Sequence, residues 1–321
     1  MSARPLVVGF WIDPFEALRP GHDTSLELML GCLERGHRVV CFEQRDVSVR
    51  GAQPVAALRE VTLATSAGRL ACGPRQAPTP LQSLDAVWLR RDPPVDATFI
   101  HVTLMLEPLT HPLLINRPAS LRDCNEKLYA LDFADLGPET VVSSDPAELL
   151  AALERFGGRA VLKPLDGCGG AGIELLEGLG ASTRASLEAA TSAGQRPTLV
   201  QRFLEASREG DKRILLLDGR PLGAVLRQPR PGEFRCNFAQ GGKGVATTVT
   251  PRERLICERL APDLLRRGLH FVGIDVIGEH LTEINVTSPT GLVEINALDG
   301  KRLELDVVRW LEANAPRSLS A

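Results

Sequence analysis

The hydrophobic and polar positions of this chain change period repeatedly, and each change marks an element. Residues 6–12 (LVVGFWI) form an unbroken apolar run between Pro5 and Asp13, as in a buried strand. A helix is predicted over residues 24–35, with Thr24-Ser25-Leu26-Glu27 as a capping box and Gly36 as its stop, followed by a strand over 38–42. After this β-α-β opening, residues 43–83 are rich in Pro, Gly, Ser and Gln and stay unassigned. A strand over 85–89, a helix over 96–106 and a strand over 113–116 complete an open parallel α/β domain. Ligands of such sheets sit at the carboxyl ends of the strands, so Asp13 and the segment Arg90-Arg91-Asp92 are placed to meet a substrate.

Beyond Arg117-Pro118 a new domain begins. Asp145 as N-cap, Pro146 at the first position and Glu148 in the first turn start a helix that Gly157 stops. Residues 160–173 (AVLKPLDGCGGAGI) contain Gly167, Gly169 and Gly172 in G-x-G-x-x-G spacing. That fingerprint requires a helix directly after the glycines, whereas residues 171–175 continue with strand-like alternation, so a dinucleotide site is rejected. Two readings stand instead: a flap whose N–H groups wrap phosphate oxygens with Lys163 as counter-charge, or a glycine-rich surface turn beside an exposed lysine.

A strand over 198–204 leads to a hairpin of 213–217 and 222–227 around Asp218-Gly219, with Arg213 and Arg227 on its two strands. As an exposed cross-strand pair they would incur a like-charge cost, which weighs against that bland reading. Residues 228–244 carry two prolines, four glycines and three positive charges without period, the make-up of a functional loop or lid. Thr250-Pro251-Arg252-Glu253 caps an amphipathic helix that ends at Gly268. The last hairpin, residues 271–277 and 281–287 around a three-residue loop at Gly278-Glu279-His280, sets Asp275 opposite Glu283 with Asn285 on the same face. Three oxygen donors there fit a hard divalent cation, and equally a solvated hairpin with two exposed acids.

Composition narrows the class. The 321 residues suffice for two domains, and 37 basic against 40 acidic residues leave no general attraction to nucleic acid or an anionic membrane. No apolar stretch reaches membrane-spanning length or forms a signal segment, so a cytoplasmic location is expected. Seven cysteines, scattered and never in C-x-x-C, indicate neither a disulfide framework nor a zinc cluster.

The strings VLKPLDGCGGAGI, DCNEKL (123–128), GDKRILLLDG (210–219), RRDPPVDATFI (90–100) and VGIDVIGEHLTEINVTSPTG (272–291), with the Asp13-Pro14 turn, resemble the bacterial glutathione synthetase family of the ATP-grasp superfamily over nearly the whole chain. The resemblance implies an N-terminal α/β domain over residues 1–118 and an ATP-grasp domain over 119–321, made of two α+β subdomains over about 138–201 and about 202–316 that clasp ATP. It implies a ligase that joins γ-glutamylcysteine to glycine with ATP and Mg²⁺ or Mn²⁺, a homo-oligomer with no nucleic acid or membrane partner.

By position, the resemblance gives Lys127, Lys163 and the flap glycines Gly167, Gly169 and Gly170 to the phosphates. Gln201, Phe203 and Leu204 line the adenine slot, and Asp211 lies near the ribose. Asp275, Glu283 and Asn285 hold metal. Arg213, Arg227 and Asn237 are catalytic, and Asp13, Arg90, Asp92 and Ser288 meet substrate. Three positions depart from the family: Cys168 stands for Met in the flap, Lys243 for Arg in the lid, and Val293 for an Arg that helps hold a substrate carboxylate. Val293 keeps open a ligase with another amine acceptor, and a non-catalytic nucleotide-binding protein on the same fold is the reading from another class.

Overall fold

The computed structural model describes residues 4–64 and 69–316, so the outermost ends of the two expected domains lie outside the described residues. The first sheet has the expected parallel centre: β1 (Val7–Trp11), β2 (Arg38–Phe42), β6 (Ala86–Leu89) and β7 (Leu113–Ile115) run in the order β2-β1-β6-β7. The stretch left unassigned from sequence forms three more strands. These are β3 (Val47–Arg50), β4 (Gln53–Leu63) and β5 (Leu70–Pro80), which extend the sheet antiparallel from β2 through β4. Prolines 74, 78 and 80 hid β5, but among the described strands it pairs with β4 alone, and an edge strand tolerates a missing donor.

Helix α1 (Thr24–Glu34) is capped by Asp23, whose carboxylate accepts from Ser25 N–H at 2.7 Å, so the expected cap at Thr24 moves back one residue. Asp96, expected as the first helical residue, instead caps α2 (Ala97–Leu106), its carboxylate accepting from Phe99 N–H at 2.7 Å. The short helix α3 (Pro118–Asp123) leads to the subdomain expected at about 138–201, called the lid in distinction from the lid loop of residues 228–244: β8 (Thr140–Ser143), α4 (Pro146–Arg155), β9 (Arg159–Pro164), β10 (Glu174–Glu177), α5 (Ala181–Ala190) and β11 (Thr198–Arg202). Its sheet runs β10-β9-β11-β8. The cap predicted at Asp145-Pro146 is present, with Asp145 accepting from Ala147 N–H.

The C-terminal sheet runs β14-β13-β12-β15-β16, built from β12 (Asp211–Leu217), β13 (Arg220–Gln228), β14 (Lys243–Ala246), β15 (Phe271–Ile277) and β16 (His280–Asn285). Asp218 and Gly219 both take positive φ, the turn that matches strand twist. Helix α6 (Pro251–Arg267) carries the predicted capping box, Thr250 with Glu253, and stops at left-handed Gly268. Helices α7 (Leu292–Asp299) and α8 (Leu303–Asn314) close the chain, and α8 returns to pack on α1, with Glu312 accepting two bonds from Arg35.

Ile214, Leu216, Ile274 and Ile284 of the C-terminal sheet share one core cluster with Trp11, Phe42, Leu89 and Phe99 of the N-terminal sheet. On the other side, Leu215, Val225 and Phe271 share a second cluster with Phe10, Trp88 and Val308. Buried Asn116 stitches the junction, donating to Phe271 O and Val286 O while its own oxygen accepts from Phe271 N–H.

Candidate active site

Strand register assembles the charges. Arg213 on β12 faces Asp275 on β15, which faces Glu283 on β16, while Asp211 faces Arg227 across β12 and β13. The Asp275–Glu283 pairing matches the sequence expectation, yet the turn differs. Ile277 pairs with His280 around a two-residue turn, and a bulge between Asp275 and Val276 restores the register. Thr282 is the extra residue, and its hydroxyl donates to Asp275 O at 3.1 Å.

Arg213 and Arg227 are not a cross-strand pair, since Arg213 lies opposite Val225. They meet instead on one carboxylate. Arg213 Nε and Nη2 donate to the two oxygens of Asp275 at 2.5 and 2.9 Å, and Arg227 Nη2 lies 3.0 Å from Asp275 Oδ2 and 2.6 Å from Asp211 Oδ2. Gly273, next to Asp275 on the same face, leaves this space open, for a Cβ there would meet Pro289 at 2.9 Å and Arg213 Cδ at 3.1 Å.

Burial raises the Asp275 carboxyl, but Arg213 and Arg227 pull it further down, well below the usual carboxylate range. Asp211 is buried too, and there burial outweighs the pull of Arg227 and raises its carboxyl. Arg227 Nε and Asp211 Oδ1 are buried without a hydrogen-bond partner among the described residues. Such orphaned buried polar atoms are what a bound polar ligand satisfies.

A cleft between the lid and the C-terminal sheet gathers Lys163, Gln201, Phe203, Leu204 and Asp211 with Asn237 and Glu283. Gln201 donates to Thr140 Oγ1 at 3.0 Å, and Phe203 stacks edge-on against Phe234 and under Arg159. Lys163 Nζ lies 3.5 Å from Glu283 Oε1, a long contact that leaves the Glu283 carboxylate thinly engaged. Asn285 donates its amide to Asp275 Oδ2 at 3.3 Å. The donor set of Glu283, Asn285 and Asp275 fits a hard cation, with Asp275 shared by two guanidinium groups.

The flap runs from Gly167 to Gly172. Gly170 has φ +81°, and a Cβ there would sit 2.7 Å from Asn237 Oδ1, so the predicted lid loop lies directly against the flap. Gln240 adds a bond to Gly169 O at 3.3 Å.

The predicted substrate residues meet at the seam between the N-terminal sheet and the loop after β16. Asp13 accepts from Arg91 and from Asp92 N–H, and Ser288 donates to Asp92 at 2.5 Å. Arg90 is buried, donating to Ser25 Oγ at 2.9 Å and Pro289 O at 3.0 Å, with no acidic partner and an unpartnered Nη1 among the described residues. Burial lowers its pKa, against the pull of the Asp23 and Asp92 carboxylates. Sequence reasoning passed over Glu126, which sits inside the noticed string DCNEKL and pairs with Lys127 at 2.6 Å.

The lid and C-terminal sheets, with the glycine-rich flap between them, define an ATP-grasp fold. Solved structures agree: an ATP-grasp RimK domain protein from Sphaerobacter thermophilus (20% identity, TM-score 0.60, covering 94% of this chain and 98% of that one) and the D-cycloserine synthetase DcsG (16% identity, TM-score 0.62, covering 95% and 99%). At the level of sequence, residues 6–122 match the prokaryotic glutathione synthetase N-terminal domain and residues 126–300 the prokaryotic glutathione synthetase ATP-grasp domain. Curated relatives include the glutathione synthetases of Gloeobacter violaceus (46% identical over 309 residues, covering 94% of this chain and 95% of that protein) and Thermosynechococcus vestitus (45% over 318 residues, covering 95% and 99%). The chain belongs to the prokaryotic glutathione synthetase family. It is an ATP-dependent carboxylate-amine ligase that makes glutathione.

Proposed function

We propose that the cleft between the lid and the C-terminal sheet is where γ-glutamylcysteine is joined to glycine, and that the buried row Arg227, Arg213, Asp275, Glu283 and Asn285 is its reaction centre. The observation that carries this is the pair of orphaned buried atoms, Arg227 Nε and Asp211 Oδ1, beside a carboxylate already shared by two arginines. A carboxylate is a poor acylating agent, so ATP transfers its terminal phosphoryl group to the cysteinyl carboxylate, releasing ADP, and the glycine amine then attacks the acyl phosphate, losing a proton and expelling inorganic phosphate as the peptide bond forms. Arg213 and Arg227 hold the oxygens on which negative charge grows, from a preorganised position. Lys127, Lys163 and the glycines 167, 169 and 170 hold the phosphates, Gln201, Phe203 and Leu204 the adenine, and Asp211 the ribose end.

A divalent cation, Mg²⁺ or Mn²⁺, held by Glu283, Asn285 and Asp275 would supply Lewis-acid charge at the phosphate oxygens. Asn237 and the loop it belongs to shield the acyl phosphate from water. Arg90 supplies a cation for a substrate carboxylate, a role Val293 cannot fill, and Asp13, Asp92 and Ser288 orient the same substrate. Residues of about 138–201 act as a lid over about 202–316. In this reading the enzyme is a cytoplasmic homo-oligomer without nucleic-acid or membrane partners; among the described residues no helix is long and apolar enough to cross a membrane.

The test is phosphate release from ATP with γ-glutamylcysteine and glycine, with the product identified by mass and Mn²⁺ binding followed separately by its paramagnetic resonance signal. Arg213→Met should lose turnover by about 10²–10³-fold, and Glu283→Gln should weaken Mn²⁺ binding. Parent-like behaviour of both would remove this row from the reaction.

A further inference from the structure

Three parts of the molecule meet on residues 125–127. Asn125 Nδ2 donates to Leu165 O of the lid at 2.8 Å, while its oxygen accepts from the N–H groups of Lys127 and Leu128 and turns the chain. Glu126 O accepts from Ile284 N–H at 2.9 Å, between Glu283 and Asn285 on β16. The Lys127 ammonium, with only 3% of its side chain exposed, donates to Glu126 Oε1 at 2.6 Å and to Gly167 O, at the start of the flap, also at 2.6 Å.

An ammonium has three donors. Two are committed here in fixed directions, so the third has one direction left. A lysine side chain is otherwise flexible and strongly hydrated, and a buried one needs a partner to hold its charge and its rotamer. Glu126 holds the rotamer by its direct ion pair and shares with Glu283 the holding of the charge, and its own backbone is anchored to the strand that carries Glu283 and Asn285. The carbonyl of Gly167 links the same ammonium to the flap.

We propose that Glu126 is a positioning residue for nucleotide binding: it fixes the Lys127 ammonium so that the free donor meets a phosphate oxygen, and through Lys127 it registers the flap against the β16 strand. This rests on the reading of Lys127 as a phosphate contact. Glu126 itself touches no substrate in this account. It acts as outer partners of a binding group do, by orienting it.

The test is a double-mutant cycle on the full-length enzyme, measuring ADP affinity by calorimetry and the separate KM values for ATP, γ-glutamylcysteine and glycine. Glu126→Gln keeps the shape and removes the charge, and Glu126→Asp keeps the charge should the first variant fail to fold. Glu126→Gln should weaken ADP binding and raise the ATP KM on the order of tenfold, with the other two KM values unchanged. Glu126→Asp should recover part of that loss. The double variant with Lys127→Met should bind ADP no more weakly than Lys127→Met alone, because a residue acting through Lys127 has nothing left to position.

Multiplying losses in the double variant, equal rises in all three KM values, or parent-like ADP binding by Glu126→Gln would each overturn the proposal. Unchanged ADP affinity in Lys127→Met would instead sink the phosphate role of Lys127, and this inference with it.

Discussion

The lid and the C-terminal sheet are both antiparallel sheets backed by helices, yet they are anchored in different ways. The lid closes its core on itself, with Leu149, Leu153, Phe156, Leu162, Leu176, Leu187 and Val200 in one cluster. Among the described residues the C-terminal sheet has no such private core, since its apolar faces are packed into clusters shared with the N-terminal sheet. The two arginines and two aspartates of the buried charge network all sit on the shared sheet. Buried charges are tolerable only in well-held geometry, so they belong on the half that cannot shift without opening the main core. The flap glycines sit on the half that can.

The sharpest way to break this comparison is at Asp275. Asp275→Ala leaves Arg213 and Arg227 buried without their shared counter-charge and should cost about 3–5 kcal/mol, seen as a lower denaturation midpoint of the whole protein. A loss below about 1 kcal/mol would show the pair behaving as a solvated one. The same carboxyl gives a pH signature. Its folded pKa is depressed, with the arginines overcoming burial, so its stabilisation is fully present above the unfolded value near ~3.9 and is lost as pH falls below it. Asp275→Asn, lacking the titration, should lose less stability than the parent on acidification below about pH 4.

A matched pair of core truncations sharpens the contrast between the halves. Ile274→Ala and Leu187→Ala each remove a fully buried side chain and should each cost about 2–5 kcal/mol. The first should lower the protection of the N-terminal and C-terminal sheets together, because their core is common. The second should raise hydrogen exchange in β8–β11, α4 and α5 and leave the rest unchanged. The same exchange pattern in both variants would erase the distinction.

The smallest expected effect lies where the halves touch. Gly170→Ala adds a Cβ at φ +81° within 2.7 Å of Asn237 Oδ1. A strain of about 1–3 kcal/mol, confined to the flap, should raise the ATP KM several-fold with the melting temperature nearly unchanged. Equal nucleotide affinity in this variant would show that the flap and the lid loop do not need to meet.

What could be read from residues alone was what is local. The caps at Asp145-Pro146 and Thr250–Glu253, the Asp218-Gly219 turn and the strand-like exit from the glycine flap each need only a few neighbouring residues, and each stands in the structure. The match of motif strings, which brought Lys163, Asp275, Glu283 and Asn285 together, is likewise a property of sequence. Even the Asp275–Glu283 pairing was legible, though for the wrong turn, because an expected three-residue loop and an observed two-residue turn with a bulge give the same count.

Tertiary structure decided what depends on distant partners. Residues 43–83 carry too many prolines to announce strands, and β5 exists because β4 offers it an edge. Arg213 and Arg227 sit on neighbouring strands without facing each other, and Asp275 from a third strand arrives between them as a shared counter-charge. Glu126 draws no notice inside the string DCNEKL, and only the fold places its carbonyl on β16 and the Lys127 ammonium on the flap. The physical reason is common to all three: turns and caps are settled by contacts a few residues apart, whereas the energy of a buried charge or an edge strand is set by whatever the rest of the chain brings beside it.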